Sequence, residues 1–498
     1  MDSPVVIAYD VGTSGVKAVV VDQHGRVLGS RIRTYGLDTP QPGWAEQDVE
    51  AMVAELGRAS RDVLAAVGVE PSRVAAVGAT AQMFNVVPVD ASGRSLRPML
   101  SWLDQRAAPE AAEIRGRHPL DGGYATYDTI VTAKDIIPRI VWLARHEPGL
   151  NARAAWYLDC KEAVVARLTG AIGIDPSGAS AFRLAGATTG AWDPVRCHAS
   201  GIAYDRLPPV RPATDIVGYV TPDAATMTGL QAGTPVVVGA GDVPASQLGA
   251  GACDPGDIHL SLGTAVYFGI TTERHLEDPA QRLGPIAHVV SGQEILWLEI
   301  ATGGAALAWL DRQLVGPGAA ESRKDHAAID RDVPAVAGEM EGLLFAPWLT
   351  GERVPVFDDD VRAAFLGLAL HHGPAHLTRA VMEGVACQIA WAFEYGLAYG
   401  IEPRSIRAVG GGSIGTAWTE IIAETLGRPL EIVAEPQDAA ARGAAACALV
   451  GIGLAPDLRR AVPARVERSV RPDPVRVARA NARLERFREL HAALRTVA

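Results

Sequence analysis

Two carboxylates, Asp10 and Asp242, stand where chemistry can be argued first. Asp10 ends the apolar run 5–9 and is followed by Gly12-Thr13-Ser14-Gly15-Val16-Lys17. Glycines let backbone N–H groups approach an anion, hydroxyls donate hydrogen bonds, and a lysine supplies a point charge. A carboxylate beside such a loop suits Mg2+, which keeps much of its water and takes one or two carboxylates besides phosphate. The spacing fits neither GxxxxGK[ST] nor GxGxxG, and a strand follows where those motifs need a helix. The same residue types also make plain hairpin turns. Asp242 ends a second apolar run, Val236-Val237-Val238-Gly239-Ala240-Gly241. A carboxylate there can accept the proton of a hydroxyl that attacks phosphorus, or it can cap the helix that follows. A third segment, Gly410-Gly411-Gly412-Ser413, leads from an apolar run to a helix N-terminus, a setting for an anion or nucleotide.

These residues need elements to hold them. Strand patterns fall at 5–9, 18–21, 74–80, 236–240, 258–262, 265–270 and 406–409. Helical patterns fall at 49–67, 136–146, 160–168, 301–314, 377–399 and 417–426. Alternating strands and helices predict layered α/β domains. Residues 7–21 and 258–270 share one plan: strand, Gly-Thr turn, strand. The echo predicts two similar domains, each offering a hairpin tip to a shared cleft, with Gly263 and Thr264 at the second tip.

The whole chain sets the frame. Its 498 residues allow two or three domains. A net charge of −11 speaks against a nucleic-acid partner or an anionic membrane surface. No apolar run reaches the roughly 18 residues that span a bilayer, and the N-terminus lacks a secretory pattern. Five scattered cysteines without a CxxC point to reduced thiols and a cytoplasmic protein, not to a disulfide framework or zinc site. His371, His372 and His376 cluster in what reads as a surface loop. The basic stretch after Pro463 is expected to be a solvated terminal helix.

Taken in order, the motifs resemble the FGGY carbohydrate kinases, of the actin, hexokinase and chaperone ATPase superfamily. The resemblance runs from Val5 to Gly453. It rests on "DVGTSGVK", "GWAEQDVE", "ATAQMFNVVPVDASGRSLRPMLSWLDQR", "PRIVWLARHEP" (with Arg139 where lysine is usual), "GAGD", "SLGT", "GERVP" and "AFLGLALHHGPAHLTRAVMEG". It implies two ribonuclease-H-like lobes with ATP, Mg2+ and a small sugar meeting in the cleft between them. Residues 1–248 would form the lobe with the sugar side and first phosphate loop. Residues 249–455 would form the nucleotide side, and 456–498 a helical tail. The resemblance implies that Asp10 positions Mg2+, with Gly12, Thr13, Ser14 and Lys17 facing the transferring phosphoryl. Gly263 and Thr264 would approach from the other lobe, Gly411, Gly412 and Ser413 would line the adenosine pocket, and Asp242 would be the general base. A homodimer is a family expectation only.

Within the family the pattern is most similar to xylulokinases, and D-xylulose is the first acceptor it implies. Gln82, Met83, Phe84, Trp102, Asp104, Arg106 and Val243 would belong to the sugar side. Two of them depart from the xylulokinase pattern. Phe84 stands where histidine is typical and Val243 where asparagine is typical, so two hydrogen-bonding groups are lost. An unmatched buried polar group is costly, so another pentulose, a tetritol or tetrulose, or another polyol stays open. A non-catalytic sugar sensor is the alternative of another class.

Overall fold

The computed structural model describes residues 3–497, apart from 117–130, 187–189, 277, 279, 281, 316–325, 339, 341, 359 and 464. Two mixed seven-stranded sheets form its centre. In the first, Val5–Val11 is buried at every position but Asp10. It sits mid-sheet with helices over its faces, which is why it reads as an unbroken apolar run and not an alternation. It pairs antiparallel with Gly15–Asp22, placing Asp10 opposite Lys17. It pairs parallel with Val74–Ala81, placing Asp10 opposite Thr80. Val27–Thr34 forms one edge, Pro235–Val237 and Ile216–Tyr219 the other, and Ala240–Gly241 joins Val74–Ala81 further along.

The second sheet repeats this plan. Asp257–Leu262 pairs antiparallel with Val266–Thr272 and parallel with Ser405–Val409. Gly284–Ala287 and Glu294–Ile300 extend one side; Leu430–Val433 and Val466–Val470 extend the other. The echo between the two hairpins is therefore an echo between two sheets.

Helices Val49–Val67 and Ala439–Gly451 pack against the first sheet. Val49–Val67 starts at Asp48, whose carboxylate accepts the Glu50 N–H, and stops at Gly68 in the left-handed region. Ala439–Gly451 comes from the C-terminal half of the chain. Its backbone lies so close that a Cβ on Gly78 would sit 2.2 Å from the Ala444 carbonyl oxygen. It also packs on the helix Asp242–Gly249, where a Cβ on Gly443 would meet the Ala245 carbonyl at 1.9 Å. Only glycine allows such backbone-to-backbone packing.

The C-terminal stretch differs from a solvated helix. Val466–Val470 is the edge strand of the second sheet, paired with Leu430–Val433. In the helix Pro474–Val497, Ala480, Leu484, Phe487 and Leu490 are buried. Their spacing marks one helical face, and Phe487 packs 5.3 Å from the Trp348 ring. The basic residues that dominate the sequence pattern lie around that stripe. All five cysteines are free and buried. Among the described residues no helix is long and apolar enough to cross a membrane.

Candidate active site

Asp242 is delivered by a tightly held turn. Gly239 is left-handed at φ 72°, with its Cβ position 2.0 Å from the Ala79 carbonyl oxygen, so glycine is required there. The buried Lys161 ammonium donates to the Val238 carbonyl at 3.0 Å, fixing the start of the turn. Lys161 is ion-paired with Glu162 at 2.6 Å and Asp175 at 3.1 Å. Asp175 accepts from the Ser177 hydroxyl, which in turn accepts the Gly241 N–H at 3.5 Å. One buried network therefore grips both ends of residues 238–241.

The helix then begins at Asp242, with Gly241 in the capping position. Asp242 Oδ1 accepts its neighbour's N–H, from Val243, at 2.8 Å. Capping of a deeper turn is thus not what this carboxylate does. Burial first, then the charge of Asp10, pushes its carboxyl up to about 8. Asp10 is raised too, by burial and by Asp438, while Lys17 works the other way. The charge of Asp10 therefore helps hold Asp242 toward the protonated form.

The first hairpin tip is braced from three sides. Gly12 N–H donates to the Gly15 carbonyl at 2.9 Å, and the Tyr35 hydroxyl donates to the Gly12 and Gly15 carbonyls. Thr13 Oγ1 donates to Gln82 Oε1 at 3.1 Å and accepts from Trp102 Nε1 at 2.9 Å. Gln82 Nε2 donates to Gln47, and Gln47 Nε2 donates to the Thr13 carbonyl, both at 2.8 Å. Ser14 is exposed at the tip. Lys17 Nζ lies 2.9 Å from Asp438 Oδ1 and donates to the Gln437 carbonyl, so it bridges to the C-terminal half.

At the second tip Gly263 and Thr264 are exposed, and the Thr264 carbonyl accepts the Gly303 and Ala305 N–H groups at 3.0 Å. This seats the tip on the start of the helix Gly304–Val315. Gly411–Ser413 forms one 3-10 turn behind Gly410. The Ser413 hydroxyl is buried against the Gly410 carbonyl at 2.8 Å, leaving Gly411 and Gly412 partly exposed.

One cavity is lined by Thr13, Asp242 and Ala265 together with an aromatic wall. Phe84 and Val243 both line it, with Met83, Tyr267 and Trp297. Phe84 is left-handed at φ 64°, an uncommon state for a bulky residue and a mark of functional positions. Its ring stacks on Trp297 at 5.4 Å, 18° from parallel. Arg139 holds this conformation from behind. Its guanidinium is fully buried and donates to five backbone carbonyls, those of Phe84, Leu100, Ser101, Lys134 and Asp135. A lysine has three donors and no planar fork, so it could not serve five carbonyls.

Asp104 and Arg106 do not line this cavity. Asp104 is wholly buried, accepting from Arg106 and, at 2.7 Å, from the Ala45 N–H. Arg106 also pairs with Glu46 and lies 3.6 Å over the Trp44 ring. Conversely Lys134, Arg183, Arg282, Trp297 and Glu299 line the cavity without having been singled out, and so does Arg353, which lies in the GERVP stretch but had no role assigned to it. They come from five separate segments. Only the alternation in Glu294–Ile300, which puts Trp297 and Glu299 on one face, carried a signal.

Comparison with known proteins agrees with this geometry. The model of the N-terminal domain of the FGGY family of carbohydrate kinases matches residues 5–249, and that of the C-terminal domain matches residues 258–452. Xylulose kinase of Escherichia coli (strain K12) is 30% identical, covering 98% of this chain and 99% of that protein. Gluconokinase of Bacillus licheniformis is 25% identical over 90% of this chain and 88% of its own. The crystal structure of xylulose kinase from Rhodospirillum rubrum superposes with a TM-score of 0.85 at 29% identity, covering 99% of each chain. Paired sheets, matched hairpin tips and both domain models lead to one conclusion: the chain belongs to the FGGY family of carbohydrate kinases and is a xylulokinase-like sugar kinase.

Proposed function

We propose that the chain transfers the γ-phosphoryl group of ATP to a hydroxyl of a small polyhydroxylated acceptor, with Asp242 as general base. The observation that carries this is Asp242 itself. It lines the cavity, keeps its proton affinity high, and accepts the Val243 N–H. Such a carboxylate can take the hydroxyl proton as the oxygen attacks phosphorus.

The residues around Asp10 fit a divalent cation. Two neighbouring carboxylates with raised proton affinity, that of Asp242 raised in part by the charge of Asp10, form a site that positive charge stabilises. Asp10 would hold Mg2+, which when bound neutralises charge on the phosphate oxygens. The Gly12–Gly15 turn and Lys17 would face the transferring group, with Gly263 and Thr264 opposite and Gly411, Gly412 and Ser413 beside the adenosine. Lys17 would then exchange Asp438 for phosphate. Closing the lobes would exclude water, the competing nucleophile. Five unpaired thiols favour a reducing compartment, the cytoplasm.

The likeness to named xylulose kinases makes D-xylulose the first acceptor to try. Phe84 and Val243 on the cavity wall favour a different one. The test is coupled ADP release with ATP and Mg2+ over a panel of ketoses, alditols and sugar acids. Asp242→Ala should lose transfer to every acceptor while still binding ATP–Mg2+. Near-normal turnover by that variant would remove Asp242 from the role of base.

A further inference from the structure

Asp242 is not the only polar residue on its face of the helix. Ser246 follows one turn later, on the same side of Asp242–Gly249. It is buried, and its hydroxyl lies 2.9 Å from His259 Nε2. His259 sits on the strand Asp257–Leu262 two residues before Ser261, so both side chains point to one face of the second hairpin. Ser261 is paired in register with Tyr267 of Val266–Thr272, which adds the tyrosine to that face. The rings of His259 and Tyr267 are 5.5 Å apart. Tyr267 lines the cavity together with Asp242, and the two come from the two different family domains.

The hydrogen bonds along these residues have a direction. Burial pushes His259 down to about 3, so its ring is neutral and carries one N–H. Its Nδ1 is buried and has no hydrogen-bond partner among the described residues. Folded proteins leave a buried N–H unpaired less readily than a buried acceptor. The proton therefore belongs on Nε2, which donates to Ser246. Ser246 then has its own O–H to give, and the Ser246 and Ser261 hydroxyls both bond to the Tyr267 oxygen. With two hydroxyls donating to that oxygen, the tyrosine's single O–H is left for the cavity. Burial holds the phenol well above its ordinary range, so it stays a donor at every working pH.

We propose that Tyr267 is a specificity-determining residue whose O–H donates to the acceptor oxygen on the carbon next to the one phosphorylated, while Asp242 takes the reacting hydroxyl. This rests on the kinase reading above. In the transfer the hydroxyl oxygen bonds to the γ-phosphorus, the bond from that phosphorus to the ADP oxygen breaks, and the proton goes to Asp242. Tyr267 keeps its proton throughout. An acceptor with adjacent hydroxyls engages both residues. One that lacks the second hydroxyl leaves a desolvated donor without a partner, and a polar site rejects such an analogue strongly.

The test uses the fastest acceptor of the panel of ketoses, alditols and sugar acids, and the same compound with hydrogen in place of the hydroxyl on the adjacent carbon. ADP release from ATP–Mg2+ is followed for the unaltered protein and for Tyr267→Phe, which keeps the ring and its packing. On the full acceptor Tyr267→Phe should lower kcat/KM about 10-fold, as for one neutral hydrogen bond. On the deoxy compound the change should stay within about 2-fold, and KM for ATP should not move. Ser246→Ala leaves the tyrosine in place but lets its hydroxyl turn, and should show the same selective loss at smaller size. An equal loss on both acceptors would overturn the proposal, because Tyr267 would then act through Asp242 or the fold. So would a rise in KM for ATP, or no loss on either acceptor. Each of these leaves the kinase reading intact. Transfer to no acceptor by the unaltered protein would overturn the kinase reading, and this proposal with it.

Discussion

Replacing Asp242 by asparagine should make the metal-free protein more stable, and more so as pH rises. The folded carboxyl is pushed up to about 8 from 3.8, chiefly by burial and then by Asp10. For a raised acid the sign is clear. The protonated form is compatible with the fold, so there is no penalty below the unfolded value near 3.8. The penalty grows between there and about 8, then levels off. At about 1.36 kcal/mol per pKa unit, a shift of about four units sets a ceiling of ~5–6 kcal/mol. Relaxation and water entry lower this, so ~2–4 kcal/mol is the working figure at pH 9. Asparagine keeps the shape and an acceptor for the Val243 N–H without ever ionising. At about 2–4 °C per kcal/mol for a unit of this size, unfolding of the N-terminal lobe should rise by roughly 5–10 °C at pH 9. The gain should be much smaller at pH 5 and absent below pH 4. The assay is a thermal scan of both proteins in chelator without nucleotide, since a bound cation would lower the same penalty. A gap in Tm that is the same at pH 5 and pH 9, or a less stable variant at pH 9, would refute the reasoning.

Two further outcomes follow from the cavity wall. Phe84→His combined with Val243→Asn returns two hydrogen-bonding groups to the wall and should raise kcat/KM for D-xylulose on the order of 10-fold or more; no change, measured by ADP release, would make both residues spectators. Arg139→Lys cannot satisfy five carbonyls and should destabilise the protein by about 2–4 kcal/mol. Because Phe84, Lys134 and Asp135 line the cavity, it should also raise KM for the acceptor and not for ATP, a split that steady-state kinetics reads directly.

The sequence made the two hairpins legible because their strands are covered on both faces and end in glycine-rich tips. The helix Ala439–Gly451 was not legible. Packed against the first sheet, against Asp242–Gly249 and under Lys17, it is buried nearly all round, so its alanine-rich sequence has no amphipathic period to find. The resemblance places Asp104 and Arg106 on the sugar side. Their geometry is that of an internal ion pair, and nothing local separates the two cases. Arg183 and Arg282 of the cavity were illegible for the opposite reason: the fold assembles them from distant segments. The docking of Pro474–Val497 was hidden by its charge, since four apolar residues suffice to hold a helix whose other faces are basic.

Ala439–Gly451 also sets the order in which this protein can be made. The first sheet presents Val6, Ala8, Val19, Val21 and Ala76 to that helix, and they stay uncovered until it has been synthesised. Between the end of Asp242–Gly249 and the start of Ala439–Gly451 lie about 190 residues, roughly 10–40 s of translation at about 5–20 residues per second. During that interval the nascent first lobe carries an apolar face with no partner on the ribosome. Chaperone protection of that face, or a delay in its final folding until the chain is nearly finished, is built into the topology.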